Sequence, residues 1–174
     1  MDDIIDRIKI YEIIIDEEHY FSSQYDNRLS FFLKIISTFV GVTIVGFFKA
    51  LNPVHYIFLF AGPIIILFTS KLAKESLSRT YQRLLETITM RAKIEQDLGL
   101  TQTRDIKREE YWFHESYIPQ RFLKNRSKFD SSQSFIDYYI KKGNQLWSKK
   151  LFDVFQYISI AMFVVNLFKF FMAF

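Results

Sequence analysis

The side chains best suited to acid–base or metal chemistry in this chain are three histidines and their acidic neighbours. Glu110 and His114 lie four residues apart, one helical turn, so both could contact one metal ion. Two ligands do not complete a metal site, and no H-E-x-x-H pattern accompanies them. The favoured interpretation of His114 is therefore an ordinary polar histidine.

Other catalytic patterns are also missing from the sequence. Glu17, Glu18 and His19 are adjacent, so on a helix they point in different directions and make weak acid–base machinery. The chain has no cysteine, which removes disulfides, thiolate ligands and cysteine nucleophiles. No nucleophile elbow, phosphate-binding glycine loop or dinucleotide fingerprint is present. The sequence predicts a protein that is not an enzyme and uses no metal or cofactor.

Aromatic and cationic side chains are mixed between residues 104 and 128. The candidate residues for an anionic ligand or lipid are Trp112, Arg121, Lys124, Arg126 and Lys128. Such a mixture can stack on a base and neutralise a phosphate, so a nucleotide is one candidate ligand. It equally suits a loop that contacts anionic lipid headgroups, which is the favoured interpretation. No nucleic acid partner is expected.

Three apolar segments must position these residues, and they predict an all-α integral membrane protein. The segments are 29–48, 54–70 and 151–174. Crossing hydrocarbon takes about 20 apolar residues, which the first and third segments supply. The second is short enough for a buried core helix, but the short turn at Asn52–Pro53 favours a transmembrane hairpin. For the third, the alternative is an amphipathic helix on the membrane surface.

Small residues and one proline are the candidate helix-packing positions. Gly41 and Gly46 allow close helix contact, although their spacing is not the four-residue motif of tight dimers. Gly62 and Pro63 should bend the second helix, and neighbouring helices can satisfy the carbonyl that Pro63 frees. No acid or base lies deep in these segments, which disfavours a coupled transporter.

Charge indicates the orientation in the membrane. Residues 1–30 carry eight acidic and three basic side chains, whereas residues 70–150 carry ten acidic and 17 basic ones. The positive-inside rule places the N-terminus and residues 71–150 in the cytoplasm and the C-terminus outside the inner membrane. The acidic arm and the basic region could pair within or between subunits. The predicted organisation is a cytoplasmic helix (1–28), a hairpin (29–70), a basic helical region (71–150) and a third membrane helix (151–174).

The basic region begins with a predicted helix that continues from the second apolar segment, projects into the cytoplasm and ends at Gly99. One face of this helix carries an apolar seam formed by Leu77, Tyr81, Leu84, Leu85 and Ile88. The seam predicts association between subunits, with packing against the chain's own N-terminal helix as an equal alternative, and both can be true. Residues 131–150 predict another helix, capped at Asp130-Ser131-Ser132 and bent at Gly143-Asn144.

The order of parts over about residues 4–98 resembles the SLATT-type membrane effectors of bacterial conflict systems. The likeness is architectural and lies in segments 29–48 and 54–70 and in the run YQRLLETITMRAKIEQDLGL. These effectors have a lead-in helix, a transmembrane hairpin and a long projecting helix. The resemblance implies oligomers that breach the inner membrane when a nucleotide-sensing partner signals infection, as an antiviral defence.

Together these features predict a non-enzymatic inner-membrane protein that binds membrane lipids, forms homo-oligomers and acts as a pore, channel or membrane-disrupting effector. The alternative is a membrane-anchored adaptor whose basic face recruits a soluble cytoplasmic protein. A third hypothesis is that residues 104–128 sense a nucleotide.

Overall fold

The computed structural model describes residues 2–49, 53–100, 129, 131–143 and 145–173. All regular structure in these ranges is helical: α1 (Asp2–Lys49), α2 (Pro53–Asp97), α3 (Ser132–Lys142) and α4 (Gln145–Ala173). The predicted all-α class is confirmed for this part of the chain.

Helix α1 runs for 48 residues without interruption. No glycine or proline occurs between Asp2 and Val40, so nothing in the backbone ends the helix where the polar arm meets the apolar segment. The predicted N-terminal helix and the first apolar segment are therefore one helix.

Helix α2 joins the second apolar segment to the polar run that follows, as the sequence predicts. It begins at Pro53, where the missing N–H costs no helical hydrogen bond. It ends at Asp97, and Gly99, two residues further on, has a left-handed φ of 71°. Leu100 N–H donates to the Glu95 carbonyl at 2.9 Å and Gly99 N–H to the Gln96 carbonyl at 3.0 Å. These two bonds form a Schellman cap, so the predicted C-cap is confirmed.

Helix α3 begins with a serine cap. The Ser134 N–H donates to the Ser131 hydroxyl at 3.1 Å, and the Ser131 N–H donates to the Ser134 hydroxyl at 3.2 Å. The prediction of one bent helix over 131–150 is wrong, because α3 ends at Lys142 and a new helix starts at Gln145. Glycine at position 143 makes continuation of the helix unfavourable, and residues 145–150 belong to the third apolar helix instead.

The chain divides into two compact units. The arm unit comprises Met1–Ser23 and Tyr81–Lys142, and the bundle unit comprises Gln24–Thr80 and Gly143–Phe174. Both long helices contribute one part to each unit. The four consecutive segments predicted from the sequence divide the chain by position relative to the membrane, whereas these units reflect packing within the chain. The four-segment organisation stays a prediction.

In the bundle unit α1 and α2 are antiparallel, while α4 is parallel to α1. The α1–α2 direction follows from contacts of Arg28 with Ser76 and of Gly46 with Leu59. The α1–α4 direction follows from the pairs Tyr25–Ser148 and Phe47–Lys169. The most buried apolar side chains between the three helices are Ile36, Leu59, Ile66, Ala73, Leu77 and Phe152.

Among the described residues, two stretches of helix are long and apolar enough to cross a membrane. They lie within Ile5–Phe48 and Gln133–Met172, with mean hydropathies of 2.1 and 1.8 in their most apolar windows. Only 11% and 17% of these windows are buried, whereas the core helix of a soluble protein is mostly buried. The hairpin arrangement and the third crossing stay predictions.

Candidate functional site: polar contacts and exposed polar groups

Pro63 lies inside α2 and has no N–H, so it leaves the Leu59 carbonyl without its usual helical donor. The Asn166 side-chain Nδ2 donates to this carbonyl at 2.7 Å. Asn166 reaches the carbonyl from α4 and is only 2% exposed. The expectation that a neighbouring helix satisfies the freed carbonyl is confirmed.

A second contact ties α4 to the same stretch of α2. The Ser159 hydroxyl donates to the carbonyl of Pro63 itself. Ser159 and Asn166 are seven residues apart, about two turns, and so lie on one face of α4. Both are buried, whereas Ile160 and Val164 on other faces are exposed. On this part of α4 the polar side chains therefore face α2 and apolar side chains face outward, as suits a helix in lipid.

Gly62 permits the close approach of α1 and α2. A Cβ at this position would lie 2.0 Å from Thr43 Oγ1, too close for any side chain. At Gly46 a Cβ would make an ordinary contact, 3.4 Å from Leu59 Cδ2. At Gly41 a Cβ would meet no described atom within 4 Å. Of the three predicted packing glycines, Gly62 is the one at which an added Cβ would clash.

Lys169 binds the last turn of α1. Its ammonium donates to the Phe47 carbonyl and lies 4.4 Å from the centroid of the Phe47 ring. The final carbonyls of a helix have no helical donor and carry partial negative charge. A cation at this position therefore joins α4 to α1 through both the helix end and the aromatic face.

An ion pair and a network of hydroxyl groups join the helices at the other end of the bundle unit. Lys74 of α2 pairs with Asp153 of α4. Arg28 donates to the Ser76 hydroxyl at 3.0 Å and to the Thr80 hydroxyl at 3.1 Å. Because these groups are partly solvated, they contribute more to register than to stability.

Tyr25 and Ser148 form a buried hydrogen bond, with their oxygens 2.6 Å apart. Burial raises the pKa of the Tyr25 phenol above its usual value. The hydrogen bond to Ser148 acts in the opposite direction, and the nearby Asp26 carboxylate adds to the rise in pKa. Tyr25 is therefore a neutral hydroxyl at physiological pH.

Gln145 and Ser70 are buried polar residues whose side chains have no hydrogen-bond partner in the described chain. Gln145 is fully buried, and neither its Oε1 nor its Nε2 is paired. Ser70 is also fully buried, and its Oγ has no hydrogen-bond partner. An unpaired buried amide costs about 1–3 kcal/mol, so Gln145 is either a weak point of the fold or a group kept for a partner.

An acidic and basic cluster holds the arm unit together. Arg91 of α2 donates a hydrogen bond to the Glu18 carboxylate of α1 at 2.9 Å and forms an ion pair with Glu95 at 3.2 Å. Tyr11 of α1 donates to the same Glu95 carboxylate at 3.4 Å. The Glu95 side chain is only 5% exposed. The sequence left open whether the acidic arm pairs within or between subunits, and these contacts are within one chain.

The apolar seam predicted on α2 is largely covered. Leu77 is buried in the bundle unit, while Tyr81 and Leu85 are buried in the arm unit. Leu84 and Ile88 are half-buried. This burial matches the alternative in which the seam packs within its own chain, and its role in association between subunits stays a prediction.

One face of α1 in the bundle unit is polar and exposed. It carries Ser30, Lys34, Ser37, Thr38 and Gly41, and we call it the α1 polar face. Four of these residues, with Asp26, Leu29 and Leu33, line an open groove of about 550 Å³. The sequence alone did not predict this face, although Ser37 and Gly41 have the four-residue spacing of small residues in packed membrane helices.

The candidate residues of the aromatic and cationic stretch, namely Trp112, Arg121, Lys124, Arg126 and Lys128, lie outside the described residues. Glu110 and His114 do too. Within the described ranges, no three histidine or acidic side chains are grouped so that they could hold a metal ion.

No known family model, curated protein or solved structure matches this chain.

Proposed function

We propose that this protein is a non-enzymatic, multi-pass membrane protein that assembles into homo-oligomers through the α1 polar face and permeabilises the membrane. The observation that carries the proposal is the exposure of Lys34, Ser37 and Thr38 on a helix that is otherwise apolar enough to span a bilayer.

Such a face is unfavourable against acyl chains. A lysine within a span is costly unless its ammonium reaches water, and polar side chains in membrane helices usually face protein or a water-filled cavity. A second copy of the chain would cover the face, and Ser37 and Gly41 would let two helices approach closely. Several copies around an axis would instead line an aqueous path with hydroxyl groups and the Lys34 ammonium.

Other polar side chains of the bundle unit are already bonded within the chain, which supports α1 as the helix that lines the proposed aqueous path. Thr43 donates to the Phe39 carbonyl, Ser159 to the Pro63 carbonyl and Asn166 to the Leu59 carbonyl. These side chains are buried and engaged within one chain. On the α1 polar face the Thr38 hydroxyl donates to the Lys34 carbonyl, whereas the Ser37 hydroxyl and the Lys34 ammonium are exposed and available for association.

The proposed topology has three crossings of the inner membrane, with the N-terminus and residues 71–150 in the cytoplasm. The start of α4 supports an interfacial location for this end of the bundle unit. Trp147 is 74% exposed there, and the Lys150 ammonium lies 5.6 Å from its ring centroid. Exposed tryptophan beside lysine is typical of the membrane–water interface. The resemblance to SLATT-type effectors extends the proposal to a role in anti-phage defence.

Vesicles with an entrapped fluorescent dye test the proposal. Reconstituted wild-type protein should release the dye and migrate as an oligomer in mild detergent. Gly41→Leu and Ser37→Leu make the α1 polar face bulky and apolar, so both variants should lose dye release and shift toward the monomer. Val164→Leu changes an exposed residue of α4 and serves as the control. Tight vesicles with the wild-type protein would count against permeabilisation.

The second candidate function is a membrane-anchored adaptor, and the arm unit favours it. Helix α1 exposes apolar side chains well before its predicted span, namely Ile5, Ile8, Ile10, Ile13 and Tyr20. Exposed acidic residues such as Glu12 and Glu17 surround them, which suits a soluble protein with a basic and apolar surface. A stoichiometric partner that co-purifies with the wild type and is lost in Ile8→Glu/Ile13→Glu, with membranes intact throughout, would support the adaptor over the pore.

A further inference from the structure

An apolar groove of about 300 Å³ lies between α1 and α4 in the bundle unit. Its wall includes Ile44, Phe47 and Phe48 of α1 and Ala161, Met162 and Val165 of α4. The groove also borders Thr43 and Asn166, but their donor groups are bonded to the Phe39 and Leu59 carbonyls. The groove therefore offers almost purely apolar surface to an occupant.

A cation lies next to this groove, on one of its wall residues. Lys169 lies one helical turn beyond Val165, and its ammonium binds the carbonyl and ring of Phe47. An ammonium has three N–H donors, and the Phe47 carbonyl accepts from one of them. The other two have no partner among the described residues, so they can bind an anionic group beside the groove.

We infer that this groove binds one acyl chain of an anionic phospholipid, with the lipid phosphate bound by Lys169. An apolar groove beside a single cation complements a molecule with an apolar chain and a negative headgroup. The volume is at the lower end of the range for ligand pockets and so suits a single chain. The inference rests on the membrane location in the proposed function, but it does not require that the protein permeabilise the membrane.

Native mass spectrometry on protein released from nanodiscs tests the inference. The nanodiscs contain equal amounts of phosphatidylglycerol and phosphatidylcholine with the same acyl chains. The wild-type protein should retain one phosphatidylglycerol with about a fivefold preference, the factor expected for one lysine near an anionic lipid. Excess inorganic phosphate should not displace this lipid, because phosphate has no acyl chain.

Substitutions at two positions distinguish binding of the lipid acyl chain from binding of the lipid headgroup. Ala161→Phe fills the groove and should abolish retention of either lipid. Lys169→Gln should leave a lipid bound without preference between the two headgroups, and Lys169→Arg should restore the preference. Val164→Phe adds the same ring at an exposed position outside the groove lining, and Lys71→Gln removes an exposed cation elsewhere in the bundle unit. Both controls should behave as the wild type.

Circular dichroism checks that each variant retains its helical content. Equal retention of the two lipids by the wild type would overturn the inference, as would wild-type retention by a folded Ala161→Phe. Flotation with vesicles separates this failure from a failure of the proposed function. Protein that does not float contradicts the membrane location, whereas protein that floats without lipid preference contradicts the groove site alone.

Discussion

At the scale of single residues, Pro63 of α2 and Asn166 of α4 act together, because the proline frees a backbone carbonyl to which the amide donates. Pro63 implies a free carbonyl on Leu59, because that consequence follows from local backbone geometry. The donor, Asn166, is 107 residues away from Leu59 and could not be assigned from sequence spacing. For the same reason the sequence could not show which residue lies against Gly62, because its close neighbour Thr43 is on another helix.

The role of Asn166 can be measured through its coupling to Pro63. Asn166→Leu should lower the free energy of unfolding by about 0.6–1.7 kcal/mol, the usual range for a hydrogen bond between membrane helices. In a Pro63→Ala background, residue 63 regains an N–H that can bond to the Leu59 carbonyl. There the effect of Asn166→Leu should fall to less than half.

Unfolding in sodium dodecyl sulfate, followed by circular dichroism, gives the four free energies of this cycle. Leu167→Ala on an exposed face of α4 provides a control for side-chain changes on this helix. Equal effects of Asn166→Leu in both backgrounds would show that the amide acts on something other than the freed carbonyl.

Gln145 supports a prediction of the opposite sign. Gln145→Met replaces an unpaired buried amide by an apolar side chain of similar shape, so it should raise the free energy of unfolding by about 1–3 kcal/mol. Gln156→Met, at a half-buried position of α4, should change little by comparison. The same detergent unfolding measures both. A loss of stability in Gln145→Met would mean that the amide has a partner in the folded protein.

At the scale of helices, apolar periodicity and capping residues located most elements, and breaks were harder to place. The Schellman cap at Gly99 and the serine cap at Ser131 follow from local rules that act within one turn. The junction near residue 28 is not a helix end, because a change from polar to apolar side chains does not interrupt backbone hydrogen bonding. Gly143 ends a helix, although the sequence alone predicted only a bend there.

Pairing of the two long helices in the arm unit should depend on Arg91. Arg91→Met removes the cation shared by Glu18 and the buried Glu95, a loss of about 1.5–3 kcal/mol for charged hydrogen bonds. Backbone amides of residues 5–23 should then exchange with deuterium about 10- to 100-fold faster, as this part of α1 opens more often.

Arg83→Met is the matched control, because Arg83 is an exposed cation on the same part of α2. Hydrogen exchange with mass spectrometry of the detergent-solubilised protein compares the two variants. Unchanged protection of residues 5–23 in Arg91→Met would show that buried apolar side chains of the arm unit, such as Ile14 and Tyr81, suffice to hold the helices together. Equal loss in both variants would point to general charge rather than this cluster.

At the scale of the whole molecule, the composition and the long apolar segments predict a helical protein suited to a membrane. They do not predict how distant segments pack together. Apolar segments can be identified as possible membrane helices because a span needs only about 20 consecutive, mostly apolar residues. The division into units joins Met1–Ser23 with Tyr81–Lys142, a pairing between distant parts of the chain that no local pattern encodes. The α1 polar face likewise becomes visible only when the buried faces are known.

The number of crossings can be tested directly because the natural chain has no cysteine. Single cysteines at Asn52, Ser131 and Ala173 report the side of each connection when intact cells are treated with a membrane-impermeant maleimide. Three crossings with a cytoplasmic N-terminus place positions 52 and 173 outside and position 131 inside. If α2 does not cross, positions 52 and 131 lie outside and position 173 lies inside.

Labelling of Ser131→Cys only after lysis, together with labelling of Ala173→Cys in intact cells, is the expected result, since the basic residues after α2 favour the cytoplasm. The reverse pattern at these two positions would exclude the hairpin and leave α1 and α4 as the membrane-spanning helices.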